Sequence, residues 1–443
     1  MARQITLGTT RFQELGKILG YEDDIFEQKK ARLFPLGNTL DEIHTTSIFL
    51  STLSAVKEYR EYLLSEIGVN KIKNRNVNLH VFTEISRNTK NGNSSADRPD
   101  GLIVLTSGKR DPVIDWISFV ESKVNKNTID YTQLKRYIDF GKEVGIKSII
   151  TISNNLTTSP FDTPVRDFKK PKGFELYHWS WTYLKVMSTR LLRMNAIQDE
   201  DHEYILKELR RYLDEHKNIT NFIDMGKNWY ESIQHIYESD SKKRPNYEYI
   251  NNIINSYVQE EKDIALQLTD NTDYYVQLKI KNRENRLESL RSQLEEERCL
   301  ISEYFVNGEK SNTFKLTIDV TRKSIACECD VVIDAGKAKR QTTLLLNMLS
   351  PAAESNILIK AIYPRNKSAD AQPLGKLSKE KEDNEFYSIL DKSLGDSVKM
   401  FRISLKKEIG RDMNNRKKFV ENVENLCDTF LRQVIRYTFL GEK

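Results

Sequence analysis

Cysteine is scarce in this sequence: four residues in a chain of 443. Cys299, Cys327, Cys329 and Cys427 are too few for a disulfide scaffold. The single residue between Cys327 and Cys329 is not the two-residue spacing of a zinc knuckle. All four read as reduced thiols of a cytoplasmic protein. Long apolar runs are missing as well. No stretch approaches the ~18 residues that a membrane span needs, so no membrane partner is expected. The opening MARQITLGTTRF has no apolar segment of the kind a secretory signal carries. A glycine-rich phosphate loop is absent, since Gly8, Gly16 and Gly20 crowd the start with the wrong spacing. Neither HExxH nor GxSxG occurs, which removes two common hydrolase signatures.

What is present describes a globular chain of two or three domains. Hydrophobic residues make up 38% and charged residues 30%, too balanced for wholesale disorder. The net charge of +5 is unevenly spread, with slightly basic ends around an acidic middle. That pattern is compatible with nucleic-acid contact at the ends.

Periodicity predicts a long helix over 38–67, with Leu40, Ile43, Ser47, Leu50, Leu53 and Ser54 on one stripe and Gly68 as its stop. Strands are expected at 77–85, 100–106 and 114–124, then a helix over 129–143 and a buried strand at 147–153. A further strand at 174–181 and helices at 182–196, 200–216 and 227–238 follow. SDSKKRPN at 239–246 is the linker candidate. Residues 247–304 read as mostly helical, with Leu287, Leu290, Leu294 and Ile301 on one amphipathic helix and a strand at 274–281. Beyond 313, TFKLTIDV, SIACECDVVID, TTLLLNML, NILIKAIY and MFRISL read as strands, with an exposed loop over 366–386, before a last helix over roughly 411–439.

The chemistry concentrates between Glu84 and Tyr137. Glu121 and Lys123 are two apart on a strand, so both side chains point the same way and Ser122 points opposite. Asp100 opens the preceding strand and Glu84 closes the one before. If these strands are neighbours, three carboxylates and one ammonium converge at one strand end. Carboxylates are hard oxygen ligands that hold Mg²⁺ while leaving water positions open. A lysine beside them can position water and offset charge on a phosphate. The acid-x-Lys pattern alone is weak, because it recurs at Glu27–Lys29, Asp167–Lys169, Glu215–Lys217, Asp240–Lys242 and Glu260–Lys262. Only Glu121–Lys123 ends an apolar strand, follows a Pro-Asp, and precedes Gln133 and Tyr137 on one helical face.

Glu84, RPDG with Asp100, ESK at Glu121–Lys123 and QLKRY with Gln133 and Tyr137 together resemble the PD-(D/E)xK nuclease superfamily. The similarity is greatest to its RecB-like and lambda-exonuclease-like branch, which carries a downstream Gln-x-x-x-Tyr. It covers roughly residues 38–155 and implies a restriction-endonuclease-like αβββαβ core. It also implies that Asp100, Glu121 and the Ser122 carbonyl bind Mg²⁺ (or Mn²⁺), and that Lys123 positions the attacking water. Gln133 and Tyr137 would orient lysine, water or phosphate. Glu84 would be a further metal ligand, with Glu42 on the long helix as the alternative. The upstream histidine common in that branch has no supported counterpart; His44 lies in the helix without a motif around it.

The expected fold class is therefore α/β: residues 1–37 as an N-terminal extension, 38–240 as the nuclease domain, 241–312 as a helical connector and 313–443 as an α+β domain. The expected function is a DNA endonuclease of the restriction or antiphage kind. An oligomer or protein contact is assigned to the C-terminal region. A silent nucleic-acid-binding scaffold and an RNA-directed nuclease stay open. Trp179 and Trp181 read as packing residues rather than base-stacking ones. The basic loop of Arg166, Lys169, Lys170 and Lys172, and the C-terminal Lys406, Lys407, Arg411, Arg416, Lys417 and Lys418, are secondary candidates for phosphate contact.

Overall fold

The computed structural model describes residues 4–34, 41–85, 87–89, 92–94, 98–125, 129–164, 171–219, 221–239, 245–280, 285–334, 336–352 and 356–440. The chain is a mixed α/β protein that divides into two compact units, Met1–Asn221 and Phe222–Lys443. Among the described residues no helix is long and apolar enough to cross a membrane.

After two short N-terminal helices, Leu15–Ile18 and Asp23–Gln28, the first unit continues with α1 (Asp41–Ala55) and α2 (Lys57–Glu66), separated by Val56, whose backbone is extended. The single helix expected over 38–67 is thus two. Besides a two-stranded hairpin of Arg87–Thr89 and Gly92–Ser94, five strands make the main sheet: β1 (Val77–Thr83), β2 (Gly101–Ser107), β3 (Val113–Ser122), β4 (Ser148–Ser153) and β5 (Glu175–Ser180). They lie side by side in chain order. The pairs β1–β2 and β2–β3 are antiparallel, whereas β3–β4 and β4–β5 are parallel. Parallel strands need a crossover, and α3 (Tyr131–Val144) supplies it between β3 and β4. Asp130 caps the start of α3, and Gly145 ends it in the left-handed conformation that glycine adopts without penalty. Helices α4 (Trp181–Arg193) and α5 (Glu200–Glu215) complete the unit.

The residues expected as an N-terminal extension belong to this unit's core. Ile5, Leu15, Leu19, Tyr21 and Phe26 are buried against Phe82, Ile114 and Val144. Ile5 N donates to Val144 O at 2.8 Å and Gly8 N to Ile114 O at 2.7 Å, so the segment is tied to α3 and β3.

The second unit starts well before the expected border near 240. It contains α6 (Trp229–Glu238), α7 (Tyr247–Asn271), β6 (Val276–Leu278), α8 (Arg286–Glu296), β7 (Cys299–Val306), β8 (Glu309–Asp319) and β9 (Ser324–Val331). After these come α9 (Ala338–Met348), β10 (Ile357–Ile362), β11 (Gln372–Pro373), α10 (Leu374–Glu382), β12 (Met400–Glu408) and α11 (Arg416–Phe430). The seven strands form one antiparallel sheet in the order β11-β10-β12-β9-β8-β7-β6. The region expected as a separate connector, 241–312, therefore supplies two of its strands and the start of a third. The proposed linker residues 240–244 lie outside the described residues.

Three local expectations also fail. TTLLLNML is the helix α9, because Leu345, Leu346 and Leu349 are buried at helical rather than alternating spacing, and leucine favours helices. Ile301 belongs to β7, not to α8; the chain turns at Arg298, with φ 55°, and then alternates as a strand. The loop expected over 366–386 contains α10.

The second unit buries acids against one another. Gln267 Nε2 donates to Asp263 Oδ2 and to Glu424 Oε1, both at 2.6 Å, and so bridges α7 and α11. Burial, and then the Asp263 charge, push the Glu424 carboxyl from 4.5 up to about 8. The folded chain therefore keeps a proton that the unfolded chain has released between those values, and stability falls as pH rises from 4.5 to about 8. Glu424→Gln keeps an acceptor for Gln267 and removes this dependence. Its melting temperature relative to the natural chain should rise steadily between pH 5 and 8; a constant difference would show that Glu424 does not titrate in this window.

Candidate active site

The candidate site forms where β2 begins and β3 ends. In their antiparallel ladder Gly101 faces Val120, which brings Asp100 level with Glu121. On the other side Glu121 faces Thr151 in the parallel ladder, and Lys123 N extends it by donating to Ile152 O at 2.8 Å. Gly101 has no room for a side chain: a Cβ there would lie 2.6 Å from Leu50 Cδ1 on α1. This glycine lets α1 sit close above Asp100, which places Glu42 and Thr46 over the strand end.

Side-chain hydrogen bonds draw the residues together. Asp100 Oδ2 accepts from Ser122 N at 2.8 Å and from Ser122 Oγ at 3.3 Å. Lys123 Nζ donates to Glu121 Oε1 at 2.5 Å, to the Ser122 carbonyl at 3.0 Å and to Glu42 Oε2 at 3.4 Å. From α3, Gln133 Nε2 donates to Glu121 Oε1 at 2.6 Å and to Tyr137 OH at 2.9 Å. Tyr137 OH donates to the Arg98 carbonyl at 3.2 Å. Thr46 Oγ1 bonds to both Ser122 Oγ and the Glu42 carbonyl.

Burial sets the electrostatics. Glu121 is 1% exposed and Lys123 14%. Burial, and next the Asp100 charge, push the Glu121 carboxyl up to about 8 against the pull of Lys123. Asp100 is also raised, by burial first, with Lys123 and the Ser122 bond opposing. For Lys123 burial acts downward, but the Glu121 and Asp100 carboxylates outweigh it and hold the ammonium above its ordinary range. Tyr137 is raised by burial and by the same two carboxylates.

Whether these residues suit a divalent cation turns on Glu121. Its Oε2 atom is buried and has no hydrogen-bond partner among the described residues. A buried carboxylate oxygen without a donor is costly unless something else approaches it. Its neighbours are hard oxygen donors of the kind Mg²⁺ takes: the Asp100 carboxylate, the Ser122 carbonyl and the Glu42 carboxylate. Among the described residues no three His, Cys, Asp or Glu side chains form a group able to hold a metal ion in this arrangement. The Lys123 ammonium stands against both Glu121 and Glu42. The donor types suit a hard cation, but the side chains are not drawn together around one here.

Asp100, Glu121, Ser122, Lys123, Gln133 and Tyr137 thus come together as their spacing anticipated. Glu84 does not join them: it pairs with Arg98 at 2.9 Å, and only its backbone touches the site, through Glu84 N to Asp100 O at 3.0 Å. Glu42 is the third carboxylate instead. His44 takes no part in this network among the described residues. Trp179 and Trp181 are fully buried, so neither can stack on a base. Arg166, Lys169 and Lys170 lie outside the described residues, and Lys172 is exposed. Lys406, Lys407, Arg411, Arg416, Lys417 and Lys418 are exposed on the second unit.

Two supports escape sequence reasoning. Thr46 follows Glu42 by one helical turn, a polar pair on an otherwise apolar face that could have drawn notice. Trp181 had no signal: its Nε1–H donates to the Lys123 carbonyl at 3.0 Å while its ring meets the edge of Phe49. Trp181→Phe keeps an aromatic ring there but strands that carbonyl. We expect a loss of roughly 1–3 kcal/mol of folding stability, read by chemical denaturation; an unchanged midpoint would show that the bond contributes nothing.

Comparison with known proteins adds no relative: no protein-family model matches the chain, and neither does any curated protein or solved structure.

Proposed function

We propose that the first unit is a metal-dependent phosphodiesterase of the PD-(D/E)xK type, with DNA as its substrate. One observation carries the reading. Asp100 and Glu121 meet at neighbouring strand ends, with Lys123 between Glu121 and Glu42 and with Gln133 on Glu121, and among the described residues one Glu121 oxygen has no hydrogen-bond partner. The order αβββαβ around this point supports it.

Mg²⁺ or Mn²⁺, when bound, supplies a Lewis acid for a phosphate oxygen and a water of lowered pKa. Asp100, Glu121 and the Ser122 carbonyl would hold it, with Glu42 taking the place first given to Glu84. Gln133 orients Glu121 through Oε1 and leaves Oε2 facing the site. Lys123, once released from the carboxylates, is placed to hold the attacking water and to offset charge on the phosphate. Thr46, through Ser122, and Trp181, through the Lys123 carbonyl, hold the strand exit in register.

A second reading rests on a specific observation too. Lys123 already neutralises Glu121 and Glu42, as it would in a nuclease fold that binds nucleic acid without turnover. The two readings separate under mutation. One phosphate contact contributes about one unit of salt slope, whereas losing a preorganised transition-state contact costs on the order of a hundredfold in rate or more. Lys123→Ala and Glu121→Ala should therefore abolish Mg²⁺-dependent cleavage of plasmid and linear DNA with little loss of DNA affinity at fixed salt. Equal losses in rate and affinity would favour the silent scaffold. Cleavage of RNA alone would keep the chemistry and change the substrate.

A further inference from the structure

The end of α5 reaches the same site from a distant part of the chain. His216 and Asn218, just beyond Glu215, touch both of its sides. Asn218 Nδ2 donates to Asp41 Oδ2, in the first turn of α1 beside Glu42. The Asn218 carbonyl accepts from Asn125 N at 2.9 Å and from Asn154 Nδ2 at 2.8 Å. Asn154 Nδ2 also donates to the Asn125 carbonyl at 2.8 Å. Asn125 follows Lys123 by two residues and holds a left-handed φ of 62°, a conformation that costs a non-glycine residue energy unless its neighbours impose it.

His216 braces the arrangement. Its Nδ1 accepts from Asn218 N at 3.2 Å, so in the neutral ring the proton sits on Nε2. Nε2 lies 3.0 Å from Asp41 Oδ1 and 3.2 Å from Thr45 Oγ1. Thr45 precedes Thr46, the partner of Ser122. One short segment therefore ties the α1 end that carries Glu42 to the strand exit that carries Lys123.

Thr46 on α1 ties the two parts at Ser122. Closer to the site, Glu42 meets Lys123 Nζ at 3.4 Å and Val124 N at 3.5 Å, both long for hydrogen bonds. Asn218 adds a second tie, bonded to Asp41 beside Glu42 and to Asn125 beyond Lys123. We propose that residues 216–218 are a buckle whose central member, Asn218, is a positioning residue that fixes Glu42 against Lys123. The proposal rests on the phosphodiesterase reading of that site. It does not place Asn218 in contact with substrate.

The test uses the full chain, Asn218→Ala, and the exchange Asp41→Asn/Asn218→Asp, which reverses donor and acceptor while conserving charge. A misplacement of about 1 Å costs roughly a hundredfold in rate. Asn218→Ala should therefore lower kcat by ten- to a hundredfold with KM and DNA affinity changed less than about threefold, and the exchange should recover most of the loss. In the metal-free protein, hydrogen exchange at the Val124 and Asn125 amides should speed up in Asn218→Ala and slow again in the exchanged pair. Unchanged amide exchange, or full kcat in Asn218→Ala, overturns the buckle. A natural chain that cuts no nucleic acid overturns the phosphodiesterase reading instead, and with it the positioning role, even where amide exchange shows that the bonds are made.

Discussion

The Glu121 carboxylate sits at the exit of the central strand with almost no access to water, and its neighbours are arranged around that fact. An isolated buried carboxylate would cost several kcal/mol. Here Lys123 and Gln133 share one oxygen, and the other has no hydrogen-bond partner among the described residues. The Asp100 charge adds to the cost by repelling the same group. Asp100 is in turn held in place by Ser122, and Ser122 by Thr46 on α1. Packing of α1 over Gly101 and of α3 over β3 keeps these groups dry and close. Such an arrangement is poor for stability.

The second unit contains a useful contrast. Glu261 is as buried as Glu121, yet Arg286 grips both of its oxygens and Ser302 Oγ donates to Oε2 at 2.7 Å. Arg286 also donates to the Ile301 carbonyl at 2.8 Å, and Tyr257 OH meets Ser302 Oγ at 2.8 Å. That acid is satisfied by its own surroundings and ties α7 and α8 to β7. Glu121 is half satisfied. Both are buried ion pairs; Arg286 and Ser302 meet both oxygens of Glu261, whereas among the described residues one oxygen of Glu121 has no hydrogen-bond partner.

Local pattern made part of this legible in the sequence. Alternation placed Glu121 and Lys123 on one side of β3, helical spacing placed Gln133 with Tyr137, and the strand–helix–strand rhythm ordered the sheet. Glu42, Asp41, His216 and Asn218 could not be found that way. They reach the site through the approach of α1 and the end of α5, over separations of up to 177 residues. The border between units was misplaced for a related reason. A polar linker-like stretch at 239–246 is conspicuous in composition, but Trp229 already packs on Phe419 and donates to the Met413 carbonyl, within the second unit. In α9, three leucines in a row fit a strand or a helix equally well, and only their tertiary partners decide.

Asn218 follows Lys123 by 95 residues, and this has a meaning for the chain as it is made. Synthesis runs at about 5–20 residues per second, so the segment that closes the site leaves the ribosome roughly 5–20 s after the lysine. Through that interval Glu42, Asp100, Glu121 and Lys123 already exist, but the bonds from Asn218 to Asp41 and Asn125 do not. A nascent chain halted within this span carries every acid of the site and lacks the fastening that sets their spacing. Completion of the site is thereby linked to completion of the first unit.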